Sequence, residues 1–509
     1  MSGSTGGGRT HPVALLAVGA AAPSLRLAAA DVAQAWDGGG GRGTVAVCDA
    51  DEDTLTLAWR AATAALDAAG IPVAEVSGLW WGTTRPPFAE GPSYAFLSTA
   101  LGLDPAAGGA LCAGSPHAGV EALVAAWDAV VAGHARYALV VASDALVPGL
   151  GTANEVSTGA GAAAFILGPS GAGPDETAAR LVARAGRSQA VVDRYRGDGA
   201  FATGDVYDPR LVREEIFVPL MTAAGGALGT ASPAGAPITG WAVADPDGKL
   251  GGAVAKRLGA TLVSAPVHGA LGDTGAAAAF LGAIHGFATT AAPGVLGMIA
   301  YGGGRATAVT VELAGAVPGA AEVPTAVGEG RPVSYVEAVR ARGQLEPLSD
   351  PIPMGLPPAG AAFVRGNTEM LSFEGARCRS CSVVSTPPSI HPRCTGCGGA
   401  DLEVIRLGRA GRVETFVVNQ TMPAPFQAPL PLVVVDLDDG ARIMVQGSSA
   451  DAADLAIDDR VVLSLRLYAT ERGIPVYGYK AFRTGSGSAA VLSEASPGAA
   501  RPAPGGGGS

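Results

Sequence analysis

Residues 119–145 read GVEALVAAWDAVVAGHARYALVVASDA, and this stretch decides the fold class. Its first part is rich in alanine, the strongest helix former, and keeps apolar residues at helical spacing. It ends at Gly133, a residue free to take the left-handed conformation that closes helices. From Tyr137 onward apolar residues follow one another without alternation. A strand of that kind hides both faces and belongs in the middle of a sheet covered by helices. Helix followed by buried strand is the repeating unit of a layered α/β domain.

The same grammar extends in both directions. Upstream, residues 13–22 form an apolar run ending at Pro23, LTLAWRAATAALDAAG (55–70) reads as a helix closed by glycine, and VSGLWWGTT reads as a strand. Downstream come strand TGWAVAD, helix LGGAVAKRLGA, strand TLVSAPV, helix TGAAAAFLGAI, and strands VLGMIAY and ATAVTVEL. Two similar α/β halves are predicted, at 12–168 and 169–314. A Pro-rich and Gly-rich connector follows at 315–358, with one short helix at 333–341. Residues 1–11 and 485–509, made mostly of Gly, Ser, Ala and Pro, are expected to be disordered.

Beyond the connector the pattern changes to strands without long helices: VETFVVNQT, PLVVVDLDDGARIMVQG, VVLSLRLY and PVYGYKAF. Asp439-Gly440 between two alternating runs signals a hairpin. Residues 408–484 therefore read as a small antiparallel barrel, plausibly an OB-fold. Ahead of it, at 359–407, CRSC (378–381) and CTGC (394–397) form two CxxC knuckles separated by twelve residues. Each knuckle turns two thiolates to one side, so Cys378, Cys381, Cys394 and Cys397 suit a tetrahedral, structural Zn2+. Gly396, Gly398 and Gly399 supply the turn freedom, and an iron site is the minority alternative.

At 509 residues the chain exceeds one ordinary core. A net charge of -11, from 34 basic and 45 acidic side chains, argues against a nucleic-acid partner. The uncharged run 274–301 could span a bilayer of roughly 30 Å by length, but the interruptions at Gly282, His285, Gly286, Pro293 and Gly294 favour a helix, a turn and a strand. Arg9 before residues 13–22 outlines a secretory signal only weakly, since one basic residue makes a poor leader. Of six cysteines, four stand in metal spacing, which fits a reducing cytoplasm.

Several segments carry a resemblance. APSLRLAAADVAQAW, DADEDTLTLAWRAATAAL (49–66), WGTTRPPF (81–88), HAGVEALVAA, EVSTGAGAAAFIL (155–167), DPDGKLGGAVAKRLG and LGDTG make the first 313 residues similar to hydroxymethylglutaryl-CoA synthase of the archaeal and bacterial type, in the thiolase and ketoacyl-synthase III superfamily. Residues 354–484 resemble a zinc-ribbon plus OB-fold family whose members are acyl-CoA-associated partners of thiolase-like enzymes, including steroid side-chain aldolases and hydratases. The resemblance implies two interleaved halves in five layers, a dimer or a complex with another thiolase-like chain, a CoA thioester as ligand, a place in lipid metabolism as a lyase or transferase, and a site where the halves meet.

The sequence departs from that family at each reactive position. Matching the helix-start segment puts Pro116 at the nucleophilic cysteine, Ala244 at the histidine, Asp273 at the asparagine and Thr84 at the glutamate. An acyl-enzyme route needs an activated nucleophile and a base, and these substitutions remove it. Cys112, four residues upstream, is an alternative nucleophile or a small apolar residue at the end of a buried strand; Cys48 reads as packing. His117 and, less strongly, His268 are candidate bases, although a lone histidine is more often an ordinary hydrogen-bonded side chain. Asp245 and Asp273 are candidates for a carboxylate pair acting as acid and base, or are simple turn residues. Lys249 and Lys256 are candidate contacts to CoA phosphates or solvated surface cations. Gly302 and Gly303 of YGGGR are candidate backbone donors to an oxyanion. Three functions follow: aldol or retro-aldol chemistry on a CoA thioester, a silent scaffold for an active homologue, or an acyltransferase using Cys112.

Overall fold

The computed structural model describes residues 12–38, 41–169, 178–204, 208–228, 236–328, 330–345, 367–422, 428–471 and 474–485. The disorder expected at 1–11 and from 486 onward, and the connector from 346 to 358, lie outside the described residues. Packing divides the chain into two compact units, one of Met1–Tyr94 with Leu103–Gln344, the other of Ala95–Gly102 with Leu345–Ser509.

The first unit is built from one plan used twice. The first half contains β1 (Val13–Ala21), α1 (Thr54–Ala69), β2 (Val76–Thr83), β3 (Gly108–Ala113), α2 (Ala118–Val131), β4 (Tyr137–Ala145) and β5 (Ala160–Pro169). The second contains β6 (Ala179–Ser188), α3 (Val218–Gly226), β7 (Gly240–Val243), α4 (Leu250–Arg257), β8 (Thr261–Leu262), α5 (Ala265–Leu271), α6 (Ala278–Thr289), β9 (Gly294–Gly302) and β10 (Arg305–Leu313). Strand order is β8-β7-β9-β10-β6-β1-β5-β4-β2-β3. In the first half β2 runs parallel to β3 and β4, while β5 is antiparallel to β4 and β1. The second half repeats this, with β7 parallel to β8 and β9, and β10 antiparallel to β9 and β6. Only Val13 with Leu181 and Ala14 with Arg180 join the halves through β1 and β6.

Alternation along the strands sorts side chains into two cores. Trp241 and Val243 of β7 and Ile299 and Tyr301 of β9 face α3 and α4, where Met221 and Val254 are buried. Ala242 of β7 and Met298 and Ala300 of β9 face the opposite way, into a core shared with α2, α6, β4 and β5. There Phe165 of β5 meets Phe280 of α6 with ring centroids 4.7 Å apart, so each half supplies a wall of the other's core. Helix α1 starts at a capping box in which Asp53 accepts from the Thr56 amide and Thr56 accepts from the Asp53 amide, and ends at Gly70 in the left-handed conformation. Its Leu55 and Leu57 are fully buried, contributing about 1.5–3 kcal/mol each.

Two expectations change. Only Thr261–Leu262 of the expected strand TLVSAPV is extended; α5 begins at Ala265 because Pro266 fits a first helical turn, where no amide donor is needed. The expected connector is structured through Gln344: Val317, Ala320, Val323 and Val327 join the shared core. Arg331–Val333 then pairs in parallel with Leu25–Ala28, and α7 (Tyr335–Ala341) starts at a Ser334–Glu337 capping box. Proline and glycine diluted the apolar spacing that carries this packing.

The second unit holds a helix at Asn367–Ser372 and a small sheet of β11 (Glu374–Cys378), β12 (Val384–Ser385) and β13 (Leu402–Arg406), in the order β12-β11-β13. A five-stranded sheet follows, made of β14 (Ala410–Asn419), β15 (Leu430–Leu437), β16 (Arg442–Gln446), β17 (Arg460–Glu471) and β18 (Ile474–Arg483). Its order is β16-β15-β14-β17-β18 with antiparallel neighbours, and a bridge from Gly447 to Ala481 nearly closes it into a barrel. Asp439-Gly440 forms the expected hairpin, Gly440 having φ 92°. Within this unit Phe96 packs edge-on against Tyr477, and Arg406 donates to the Ala100 carbonyl.

Backbone also packs closely against backbone at the start of α2. A side chain on Gly82 would come within 2.4 Å of the Ala118 carbonyl and the Gly119 Cα, and one on Gly119 within 2.3 Å of the Ala276 carbonyl. These neighbours are backbone and cannot rotate away. Gly82→Ala and Gly119→Ala are each expected to cost about 1–3 kcal/mol, read as a lowered midpoint in thermal unfolding. An unchanged midpoint in both would mean that the contact is not under constraint.

Candidate active site and metal centre

At the start of α2 the segment Ser115, Pro116 and His117 lies under the hairpin that joins β9 to β10. Gly303 and Gly304 turn that hairpin with φ of 58° and 73°, the two positive values that a two-residue turn needs. Gly302 sits so close that a side chain there would meet the His117 amide and Pro116 Cδ at 2.8 Å. His117 is 1% exposed. Its Nε2 is 2.8 Å from Thr307 Oγ1 on β10, and its Nδ1 is 3.2 Å from Glu121 Oε1, one helical turn along α2. The imidazole and Arg305, 3.6 Å away, hold the Glu121 carboxyl below its ordinary range. The buried imidazole thus stands between a hydroxyl that it meets at hydrogen-bond distance and a half-exposed carboxylate within ion-pair distance.

Cys112 lies in β3, opposite Gly82 of β2. The strand was expected to be buried; it is the edge of the sheet and is exposed along its first three residues. The Cys112 thiol is half-buried, and burial, followed by the charge of Glu121, pushes its pKa up, away from the reactive thiolate. It makes no hydrogen bond to His117 among the described residues. Cys48, also half-buried, has its thiol pushed up strongly by burial and by Glu52.

The two acids expected as a pair have different partners. Asp245 accepts from the amides of Asp247, Gly248 and Gly251, holding the turn before α4, and burial raises its pKa to about 6. Asp273 accepts from the Gly275 amide and from Arg194 at 2.7 Å. His268 on α5 lies beside the Asp245 turn, its ring near Gly248, and not at the start of α2. Lys249 and Lys256 flank and end α4, both exposed.

The carboxylate that links the halves is one the sequence did not single out. Asp144, at the end of β4, is fully buried. One oxygen accepts from Thr83 Oγ1, the Thr84 amide and Thr84 Oγ1, and the other from the Ala276 amide of the second half. Burial pushes its pKa up to about 6 against those four donors. A single acid inside the apolar run YALVVASDA was the available signal, since unpaired acids are rarely buried. Glu121, Thr307, Arg85 and Arg194 gave no such signal, because only folding brings them together.

A loop from Gln189 to Gly204 runs along this region. The Gln189 amide donates to Gly304, Arg194 reaches Asp273, and Arg85 donates to the Phe201 carbonyl at 2.6 Å. Arg85 also lies 4.9 Å over the Phe201 ring.

In the second unit the four predicted cysteines meet. Their sulfurs all lie within 4.8 Å of one another, with Cys378 to Cys397 at 3.6 Å and Cys381 to Cys394 at 3.4 Å. Four thiolates about 2.3 Å from a tetrahedral ion would be about 3.8 Å apart, so the donor set fits such an ion. Ser382 at φ 65° and Gly398 at φ 74° close the two knuckles, and the Gly396 and Cys397 amides point at Cys394 Sγ. Four sulfurs complete a tetrahedron and leave no position for substrate. Among the described residues no helix is long and apolar enough to cross a membrane.

Residues 404–466 match the family described as ChsH2, C-terminal OB-fold domain. The chain is 33% identical over 157 residues to hydroxymethylglutaryl-CoA synthase of Thermococcus sibiricus, a match covering 31% of this chain and 45% of that protein. It therefore spans about half the length of that curated relative. Among solved structures, MvaS in complex with 3-hydroxy-3-methylglutaryl coenzyme A has a TM-score of 0.59 at 19% identity, over 66% of this chain and 92% of that one. The 3-oxoacyl-(acyl carrier protein) synthase III of Pseudomonas aeruginosa PAO1 has a TM-score of 0.53 at 21% identity, over 60% of this chain and all of that one (100%). These structural likenesses establish the fold.

The sulfur geometry predicts that the purified protein carries about one metal ion per chain. Elemental analysis should find it, and Cys394→Ser should release it and lower the unfolding midpoint of the second unit. Full metal content in Cys394→Ser and Cys378→Ser would assign the ion elsewhere.

Proposed function

We propose that this chain, which carries a thiolase-like domain followed by an OB-fold domain and belongs with CoA-related proteins of the thiolase superfamily, makes or breaks a carbon-carbon bond beside a CoA thioester by proton transfer, without an acyl-enzyme. The observation that carries this reading is the start of α2, where Pro116 and His117 stand and the nearest thiol, Cys112, is raised and unpaired with the imidazole. An aldol or retro-aldol step needs a base and a means of holding enolate charge, not a covalent nucleophile. His117 supplies the base, connected through Thr307 and Glu121. The hairpin of Gly302 and Gly303 offers backbone donors. Asp245 and Asp273 hold their separate turns, and Lys249 and Lys256, at the two ends of α4, meet the CoA phosphates.

The metal in this reading is Zn2+, held by Cys378, Cys381, Cys394 and Cys397, and it supplies structural cohesion alone. The chain works in the cytoplasm, in lipid metabolism, as a homodimer or with another thiolase-like chain; β3, at the end of the sheet order, supports such pairing.

A second reading, a silent scaffold that presents acyl-CoA to an active homologue, draws on one observation. Asp144, Asp245 and Asp273 all spend their oxygens on donors of this chain. An acyltransferase using Cys112 is the third.

Full-length protein incubated with a 3-hydroxyacyl-CoA is expected to release a shorter acyl-CoA and a carbonyl product, with His117→Ala at least ~100-fold slower. Intact mass after incubation with acetyl-CoA is expected to show no adduct. Binding with no turnover would leave the scaffold, and an adduct abolished by Cys112→Ala would leave the acyltransferase.

A further inference from the structure

Two arginines donate to adjacent carbonyls of the loop beside the Thr83–Thr84 turn. Arg85 Nη1 donates to the Phe201 carbonyl at 2.6 Å, and Arg196 Nη1 donates to the adjacent Ala200 carbonyl at 3.3 Å. Neither forms an ion pair among the described residues. Their neighbour Arg194 differs, since it is neutralised by Asp273 at 2.7 Å. Asp144 lies close enough to act on Arg85, but its two oxygens already accept from four donors. Arg85 is half-buried, and burial together with the charge of Arg196 lowers its pKa to about 10. Holding two like charges together, one of them partly out of water, is unfavourable unless an anion joins them.

We propose that Arg85, seconded by Arg196, is a recognition point for an anionic oxygen group on the acyl portion of a bound thioester, a carboxylate being the group that fits. The proposal rests on the acyl-CoA reading above and names the substrate class within it. Arg85 uses one of its five N–H donors on Phe201 and lies over that ring, which leaves further donors of a guanidinium, the group whose fork matches a carboxylate. Position separates this point from the nucleotide end of CoA. Arg85 is three residues beyond Gly82, whose Cα abuts the start of α2. The loop bearing Arg196 follows β6, is held to the β9–β10 hairpin by the Gln189 amide and is pinned to Asp273 by Arg194. Arg85 and the start of the Arg196 loop are thus attached to elements that flank the segment carrying His117, whereas Lys249 and Lys256 lie at the two ends of α4.

Calorimetric titration of the full-length protein with glutaryl-CoA and with valeryl-CoA, which differ by the terminal carboxylate, tests this. Wild type is expected to bind glutaryl-CoA at least ~10-fold more tightly, about 1.4 kcal/mol. Arg85→Met should abolish that preference and leave valeryl-CoA affinity unchanged. Arg85→Lys should keep part of it, and the exposed Arg196→Gln should reduce it without affecting folding. Equal wild-type affinities would overturn the proposal. So would an Arg85→Met loss shared by valeryl-CoA and free CoA, which would place a CoA phosphate at Arg85. Free glutarate separates this inference from the function it rests on. If no thioester binds, the acyl-CoA reading fails; glutarate binding lost in Arg85→Met would still support the arginine site, and its absence would sink that too.

Discussion

The start of α2 is wedged between backbone on two sides, and the rest of the first unit is arranged around that contact. Gly82 closes the gap to the strand behind it, and Gly119 closes the gap to Ala276 of the other half. No side chain fits at either position, so strand β2, helix α2 and the turn before α6 are held in register by their main chains. A close-packed interior resists displacement on the scale of a single methylene. The two halves, joined by only two residue pairs along the sheet, are locked together here and in the shared core around Phe165 and Phe280.

That wedge also explains where the polar groups fall. Asp144 is carried to the end of β4, and the Ala276 amide comes to it from the second half because the turn is pressed against Gly119. Thr83 and Thr84 take the other oxygen, which fixes the chain direction into Arg85. His117, one residue before α2, is driven into the interior toward Thr307 on β10 of the other half. Pro116 lies two residues before α2, and Cys112 sits on an edge strand with its pKa raised.

The second unit is held by different means. Its small sheet is too short to bury a core of its own, and four converging sulfurs stand where a larger domain would have apolar side chains. The barrel has a conventional interior, with Val433, Val435, Leu463 and Leu465 fully buried and strand β15 alternating between inside and outside. Alternation of period two was visible in VVVDL, which is why the barrel could be read strand by strand.

Local patterns were thus decisive for the elements that depend on neighbours in the chain. Helix spacing in 55–70 and 119–133, unbroken apolar strands, the Asp439-Gly440 turn and the CxxC spacing act over a few residues, and the sequence by itself determined the α/β halves, the barrel and the cysteine set. It misjudged TLVSAPV and the 315–344 segment, where proline and glycine masked a helix start and a stretch of core. Tertiary structure alone decided the site. Asp245 and Asp273 took different partners in their own turns, while His117 was brought to Thr307 and Glu121, Asp144 to the Ala276 amide, and Arg85 to the Phe201 carbonyl. Hydrogen bonds and charge contacts between residues as far apart as 190 positions, such as His117 and Thr307, leave no trace in local spacing; they exist only once the backbone has been packed.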